Sequence, residues 1–383
     1  MRIAQIIPGL GIHCGGPSRS VVSLTSGLRS LGIEAEIITN NDKTDPIISS
    51  EEWIFAIDYK NNRLGYNPRF KGAIQGANYD LFHIHSVFNY SSTASMRIAE
   101  KRGIPFVVSP RGSLLKSALS FSSSSIKRFF NKAILVPDLN RAAVLHATSE
   151  EERDDLITLG ITRPIALIPN SIQLPDSNPS TFDGPFRVGV CGRINPKKNI
   201  DGIIRAWSKS GLKNENVELV IIGGARLDKE IAYQNDLHQL EQDLNISNIV
   251  WTGPKYGEEL YGLLKSLTVM LLGSHSENFG MVVPEALSFG VPVIASRGTP
   301  WEVLERTGSG WWIDNSDESI STALLNAYHL YLDNKEQFYQ MGHNGIRLVK
   351  DSFSQESIAS KWVQVYNWIL CGTGKPSFVT IID

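Results

Sequence analysis

The stretch Ser276-Glu277-Asn278-Phe279-Gly280-Met281-Val282-Val283-Pro284-Glu285-Ala286-Leu287 sets two glutamates eight positions apart in very different surroundings. Glu277 follows the polar run Gly273-Ser274-His275-Ser276, which reads as loop. Glu285 follows Pro284, a residue suited to the first turn of a helix. That helix is predicted to be short, because Gly290 offers a left-handed C-cap and the apolar run Val291-Pro292-Val293-Ile294-Ala295-Ser296 comes next as a strand. One carboxylate is therefore expected just before a helix N-terminus and the other inside its first turn. Between them the amides of Asn278, Phe279 and Gly280 are expected to face an anion. Two hydroxyl-binding carboxylates around a phosphate-binding amide cluster suit a sugar nucleotide. The plainer alternative is a pair of acidic residues favoured by the helix dipole.

Outward from this stretch the chain alternates strand and helix. Toward the N-terminus, apolar strand candidates run Ile3 to Ile7, Ala35 to Thr39, Leu81 to His85, Phe106 to Ser109, Val144 to Ala147 and Ile165 to Ile168. Helical stretches such as Ser18 to Leu31 and Ser92 to Lys101 lie between them. A Pro-, Ser- and Asp-rich passage follows, and a second alternating unit begins at Phe186. Its strands are expected at Val217 to Ile222, Ile249 to Thr252, Val269 to Leu272 and Val291 to Ala295, with a helical tail from about Gln355 to Leu370. The pattern predicts an α/β protein of two doubly wound parallel sheets. We divide it into a first domain over 1–170, a hinge over 171–185 and a second domain over 186–364. A length of 383 residues supports two cores.

Composition limits the partners. With 42% hydrophobic and 20% charged residues the chain has the make-up of a soluble globular protein. A net charge of −2 offers no polyanion-binding surface, so nucleic acid is not an expected partner. Cys14, Cys191 and Cys371 have neither metal-ligand spacing nor a disulfide pattern, and are expected to be reduced, mostly buried thiols of a cytoplasmic protein. Met1 to Ile7 is too short for a signal-peptide core, and no apolar run approaches the roughly 18 residues of a membrane span.

Further motifs sit at strand ends. Val190-Cys191-Gly192-Arg193-Ile194-Asn195-Pro196-Lys197-Lys198-Asn199 closes a strand with Gly and Arg and brings a Lys before the next helix. Cations fixed there would stabilise a departing diphosphate more in the transition state than in the ground state. As ordinary surface residues they would be poorly placed, since a helix N-terminus disfavours cations. Gly15-Gly16, after the first strand, allows close backbone approach to an anion. The G-x-G-x-x-G spacing of a dinucleotide fold is not met by Gly9, Gly11 and Gly15. His83 and His85, two apart in a strand, share one face and can both point into a cleft. A buried histidine bonded to a carbonyl is the plain alternative for one of them. Arg111, in Ser109-Pro110-Arg111-Gly112, could take an acceptor hydroxyl, carboxylate or phosphate, or pair with a carboxylate to hold its loop. Ile221-Ile222-Gly223-Gly224 and Trp251-Thr252-Gly253-Pro254 are further strand-to-glycine turns. The segment Leu114 to Leu135 is basic and amphipathic, suiting either peripheral contact with an anionic membrane or a plain surface helix, and Ser117 to Ser125 within it reads as a loop.

Taken in order, these elements resemble the retaining glycosyltransferases of family 4, which have the GT-B fold. The stretch from Glu277 to Glu285 resembles the family's E-x7-E motif, and Arg193 and Lys198 match its G-R-x4-K clamp, with Lys197 as a register alternative. Asn199, and Ser171 in Pro-Asn-Ser-Ile, stand where many relatives have Gly. The resemblance implies two Rossmann-like domains facing across a cleft, with the last helix, about 365–383, packing back on the first. It implies a nucleotide-sugar donor on the second domain and a glycan or lipid-linked acceptor on the first, in cell-surface polysaccharide biosynthesis at the inner face of the cytoplasmic membrane. Arg193, Lys198, Glu277 and His85 would be catalytic. Gly15, Gly16, Gly223, Gly253, Asn278, Phe279, Gly280 and Glu285 would bind the donor, Glu285 through the ribose hydroxyls. His83 and Arg111 would lie on the acceptor side. No Asp-x-Asp metal motif ends a suitable strand, so the reaction is expected to need neither metal nor cofactor. The competing readings are a GT-B sugar-nucleotide epimerase or phosphorylase, and a catalytically silent sugar-nucleotide-binding scaffold.

Overall fold

The computed structural model describes residues 1–59, 65–116, 134–176, 178–182 and 184–382. The Ser-rich run and Lys127, Arg128, Phe129, Phe130 and Lys132 of the amphipathic segment fall outside the described residues. Two compact units divide the chain: Met1–Gln173 with Phe353–Asp383, and Leu174–Ser352.

In the first unit, β1 (Arg2–Gly9), β2 (Glu34–Asp42), β3 (Ile54–Tyr59), β4 (Leu81–His85), β5 (Phe106–Ser109), β6 (Val144–Ala147) and β7 (Ile165–Leu167) pair in parallel in the order β7-β6-β5-β4-β1-β2-β3. The order reverses between β1 and β4, and ligands of such sheets bind outside the carboxyl ends of the strands at that point. The inner strands are buried on both faces, as a parallel sheet requires, while the edge strand β3 is largely exposed. Ile6, Phe82, Ile84 and Val108 serve one core. Ile3, Leu81, Val107 and Val144 serve the other, together with Leu24, Leu28 and Trp362.

The second core is closed by the end of the chain. Helix Gln355–Cys371 packs on helix Gly16–Ser30 so closely that a Cβ on Gly27 would lie 2.6 Å from the carbonyl oxygen of Gln355. After it, β14 (Val379–Thr380) adds antiparallel to β7. The return therefore begins at Phe353 and not near 365. The reason is that one continuous helix, capped by the Ser354 side chain at the amide of Ser357, carries Ile358, Trp362, Val365 and Tyr366 into the core along a single face.

In the second unit, β8 (Arg187–Cys191), β9 (Glu218–Ile222), β10 (Ile249–Gly253), β11 (Val269–Leu272), β12 (Val293–Ser296) and β13 (Gly310–Ile313) form a parallel sheet ordered β10-β9-β8-β11-β12-β13. Its reversal falls between β8 and β11. The passage expected as a hinge over 171–185 is largely held on this unit. Phe182 is buried against Phe338 and Tyr339, and Tyr331 donates to the carbonyls of Phe182 and Gly184 at 3.0 Å. Its Pro and Ser content gave no sign of that aromatic anchor. The thiols also differ from expectation: Cys14 and Cys371 are exposed and Cys191 is half-buried, because the first ends a short surface 3-10 turn and the second ends a helix.

Candidate functional site

The glutamate stretch folds around a seven-residue helix, Val282–Ser288, with Glu285 in its first turn and 6% exposed. The helix stops where expected. Val291 N–H donates to Ala286 at 3.1 Å and Gly290 N–H to Leu287 at 2.9 Å, the two bonds of a Schellman C-cap. Before the helix, Trp301 Nε1 donates to the Phe279 carbonyl at 2.5 Å and its ring packs on Phe279, fixing the turn that carries Asn278 to Gly280.

Glu277 reaches back to the switch point. Its amide donates to the Gly298 carbonyl at 2.9 Å, and its Oε1 accepts from Ser274 at 3.1 Å and from Lys198. Lys198, not Lys197, makes that contact, and its Cε lies 3.1 Å from where a Cβ on Gly192 would stand. Burial pushes the Glu277 carboxyl up, but the ammonium of Lys198, with Lys197 and Ser274, outweighs it and leaves the group below its ordinary value. A pocket opens here at the ends of β8, β9 and β11, lined by Cys191, Gly192, Arg193, Lys198, Gly273 and Ser274. The side chain of Arg193 is 62% exposed, and its guanidinium stands 3.8 Å from Glu230.

The departure at Asn199 and the glycine at 223 both have structural causes. Asn199 adopts φ 54° and ψ 37°, the left-handed region where Asn is tolerated best after Gly, and it bonds Asn315 at 3.0 Å. Gly223 is required by packing: a Cβ there would sit 1.8 Å from the Gly192 carbonyl oxygen. Gly223 N–H donates to Gly253, so these two glycines join the ends of β9 and β10.

The first unit holds a different construction. Gln5, His83, His85, Ser109 and His146 lie on one face of four neighbouring strands, brought side by side by the pairs Gln5↔His83 and His85↔Ser109. Their hydrogen bonds run in one direction. His146 Nε2 meets the Ile168 carbonyl at 2.7 Å, an acceptor, so its Nδ1 must accept from Ser109 at 2.7 Å. Ser109 then accepts from His83 Nε2, and His83 Nδ1 accepts from Tyr366, both at 2.7 Å. Tyr366 accepts from Gln5 Nε2 at 3.1 Å, Gln5 Oε1 from His85 Nε2 at 2.7 Å, and His85 Nδ1 from Arg111 at 2.9 Å. This ordering fixes all three histidines as neutral and sets each tautomer.

His85 and His83 are thus not open to a cleft. Both are fully buried with both ring nitrogens engaged, and the Trp362 ring packs against that of His83 with centroids 4.3 Å apart, tilted by 49°. Alternation did place them on one face, but that face is covered by the C-terminal helix. Burial drives both well below the ordinary histidine value and takes His146 to about 3. The unfolded chain binds protons near pH 6.5 where the folded chain does not, so stability is full above that pH and falls as pH drops toward 3. We expect urea unfolding to lose up to about 1.4 kcal/mol per pH unit for each such histidine between pH 6.5 and 5. A flat profile over that range would contradict neutral burial.

Sequence reasoning missed Gln5, His146, Trp362 and Tyr366. Gln5 and His146 carried a signal, each being the lone polar residue of an apolar strand. Gly15 and Gly16 begin helix Gly16–Ser30, Gly15 with φ 78°.

Two family models match the chain, "Glycosyl transferases group 1" over 176–347 and "Glycosyl transferase 4-like domain" over 15–171. The chain belongs to the group 1, family-4-like glycosyl transferases. The chain is 23% identical over 347 residues to the D-inositol 3-phosphate glycosyltransferase of Frankia alni, covering 76% of the chain and 79% of the relative. It is 26% identical over 186 residues to the capsular polysaccharide biosynthesis glycosyltransferase CapM of Staphylococcus aureus, covering 48% and 47%. It spans about half the length or less of several curated relatives it matches. Anabaena Alr3699/HepE, solved in complex with UDP and glucose, superposes with a TM-score of 0.74 over 95% of this chain and 99% of that one at 18% identity, a likeness of fold. Among the described residues, no helix is long and apolar enough to cross a membrane, and no group of three or more potential ligands could hold a metal.

Proposed function

We propose that the chain transfers a sugar, with retention of configuration, from a nucleotide-diphosphate donor to a glycan or lipid-linked acceptor. The observation that carries this is the Lys198–Glu277 pair at the switch-point pocket of the second unit. A cation and a carboxylate held together at strand ends suit a diphosphate beside a sugar hydroxyl. Arg193, exposed at the rim, closes on the diphosphate as the glycosidic bond breaks, and the two cations take the role a metal would have. Glu285 holds the ribose, while Asn278, Phe279 and Gly280 hold the sugar and phosphate. The fully engaged His85 acts by positioning Arg111, which lies on the acceptor side. The relatives support the class of reaction: the Anabaena protein is in complex with UDP, and CapM serves capsular polysaccharide biosynthesis. We place the reaction in cell-surface polysaccharide assembly on the cytoplasmic side.

The test is a thermal-shift panel of UDP, GDP, ADP and their common sugars, with and without magnesium. Binding to the native state raises the midpoint, by about 2.7 kcal/mol of stability at 100 times Kd. One nucleotide is expected to act without magnesium, and Arg193→Ala to lose most of its effect. No shift from any nucleotide would favour the phosphorylase or scaffold.

A further inference from the structure

The turn from β4 into helix Tyr90–Arg102 contains two left-handed residues that are not glycine, Ser86 at φ 68° and Phe88 at φ 60°. For a bulky side chain this backbone state is an outlier, kept only where the surroundings impose it. Phe88 also leaves 48% of its surface exposed. It is therefore unfavourable twice over, in its backbone and in the apolar ring it shows to water, and the core gains little from it in return. Strain of this kind collects where a ligand is held.

The turn lies at the end of the sheet where ligands bind. Ser86 N–H donates to the Ser109 carbonyl at 2.8 Å, which fixes the turn at the carboxyl ends of β4 and β5, beside the reversal between β1 and β4. A second aromatic turn meets it. The rings of Tyr66 and Tyr90 pack edge to face with centroids 4.7 Å apart, and Tyr66 is 54% exposed. Asn67 donates to Asn40 at 2.9 Å and Asn40 to the Pro8 carbonyl at 3.0 Å, which ties the Tyr66 turn to the ends of β1 and β2.

The chemistry of this rim is uniform. From Ser86 to Met96, and from Gly65 to Asn67, no residue is charged, and the polar side chains are all hydroxyls and amides. Such a rim has nothing to pair with a phosphate, a carboxylate or an anionic lipid surface. An aromatic face among hydroxyls and amides fits a pyranose instead. The C–H groups of a sugar ring make an apolar face, and its hydroxyls point outward around the edge.

We propose that Phe88 is the stacking platform of a sugar subsite on the first unit, taking the C–H face of a neutral pyranose at the end of the acceptor, with the Tyr66–Tyr90 pair beside it. This rests on the glycosyltransferase reading above and narrows its acceptor to one that ends in an uncharged sugar. The imposed backbone fixes the ring before the sugar arrives, so little freedom is lost on binding.

The full chain is titrated with the methyl glycosides of glucose, galactose, mannose and N-acetylglucosamine, with and without a saturating nucleotide chosen by the thermal-shift panel, and the sugar proton signals are followed by NMR. At least one glycoside is expected to bind, its ring C–H signals moved upfield by the aromatic ring current. Phe88→Gly is expected to bind it at least about tenfold more weakly. The unfolding midpoint of that variant is not expected to fall, because glycine accepts φ 60° without strain. Phe88→Trp is expected to keep the affinity. No binding of any glycoside to wild type, equal binding by Phe88→Gly, or a midpoint that falls together with the affinity would each overturn the proposal. So would loss of binding to phosphatidylglycerol vesicles in Phe88→Gly with glycoside binding intact, which would make Phe88 a membrane contact. If a glycoside binds as described but no nucleotide does, the donor reading falls and the sugar subsite stands.

Discussion

Lys198→Ala lowers kcat/KM about 10²–10³-fold, the cost of removing one preorganised donor from developing negative charge. The ammonium is held over Gly192 by Glu277, so it is in place before substrate arrives and needs no reorganisation during reaction. Its loss has a second effect. Glu277 is only 16% exposed, and without the cation burial dominates and moves its carboxyl upward. The acid limb of the pH–rate profile is therefore expected to shift to higher pH in the variant, because the carboxylate is now lost earlier as pH falls. Steady-state rates with the donor identified by thermal shift, taken from pH 5 to 8, check both. A rate within threefold of wild type would remove the pair from the mechanism.

Trp362→Ala is expected to be the most damaging substitution for stability. The indole is 1% exposed and lies against His83, His146 and Tyr366. Truncating such a ring costs about 3–5 kcal/mol, and at about 2–4 °C per kcal/mol for a unit of this size the midpoint falls by roughly 10 °C. The loss should be local. Hydrogen exchange is expected to quicken in β4, β5 and β6, where the indole covers the sheet, and to stay unchanged in β8 to β12. Equal loss in both units, or an unmoved midpoint, would show that the helix does not complete this core.

How much of this was legible depended on distance along the chain. The apolar strands Leu81–His85, Phe106–Ser109 and Val144–Ala147 were readable because a parallel sheet buries both faces. β3 was not: Ile54–Tyr59 is an edge strand with half-exposed residues, and it lacks the continuous apolar run. The turns that carry Lys198 and the two glutamates were readable because each is local and its turn residues are in sequence, down to Gly290. The histidines were misjudged because their partners come from elsewhere. Nothing near Leu81 to His85 announces that Tyr366 and Trp362 will arrive from the far end of the chain. The anchoring of Phe182 by Tyr331 and Phe338 was hidden for the same reason.

The first unit is made of two pieces of chain, Met1–Gln173 and Phe353–Asp383, with the whole of the other unit between them. During synthesis its sheet waits for its last helix while the intervening residues are added, about 10–40 s at about 5–20 residues per second. Over that interval Gln5, His83 and the apolar face of helix Gly16–Ser30 have no cover, whereas the later-born unit already has all its strands. Birth order and folding order are therefore expected to be reversed, and a nascent chain stalled before Phe353 should carry a protease-resistant second unit behind a protease-sensitive first one.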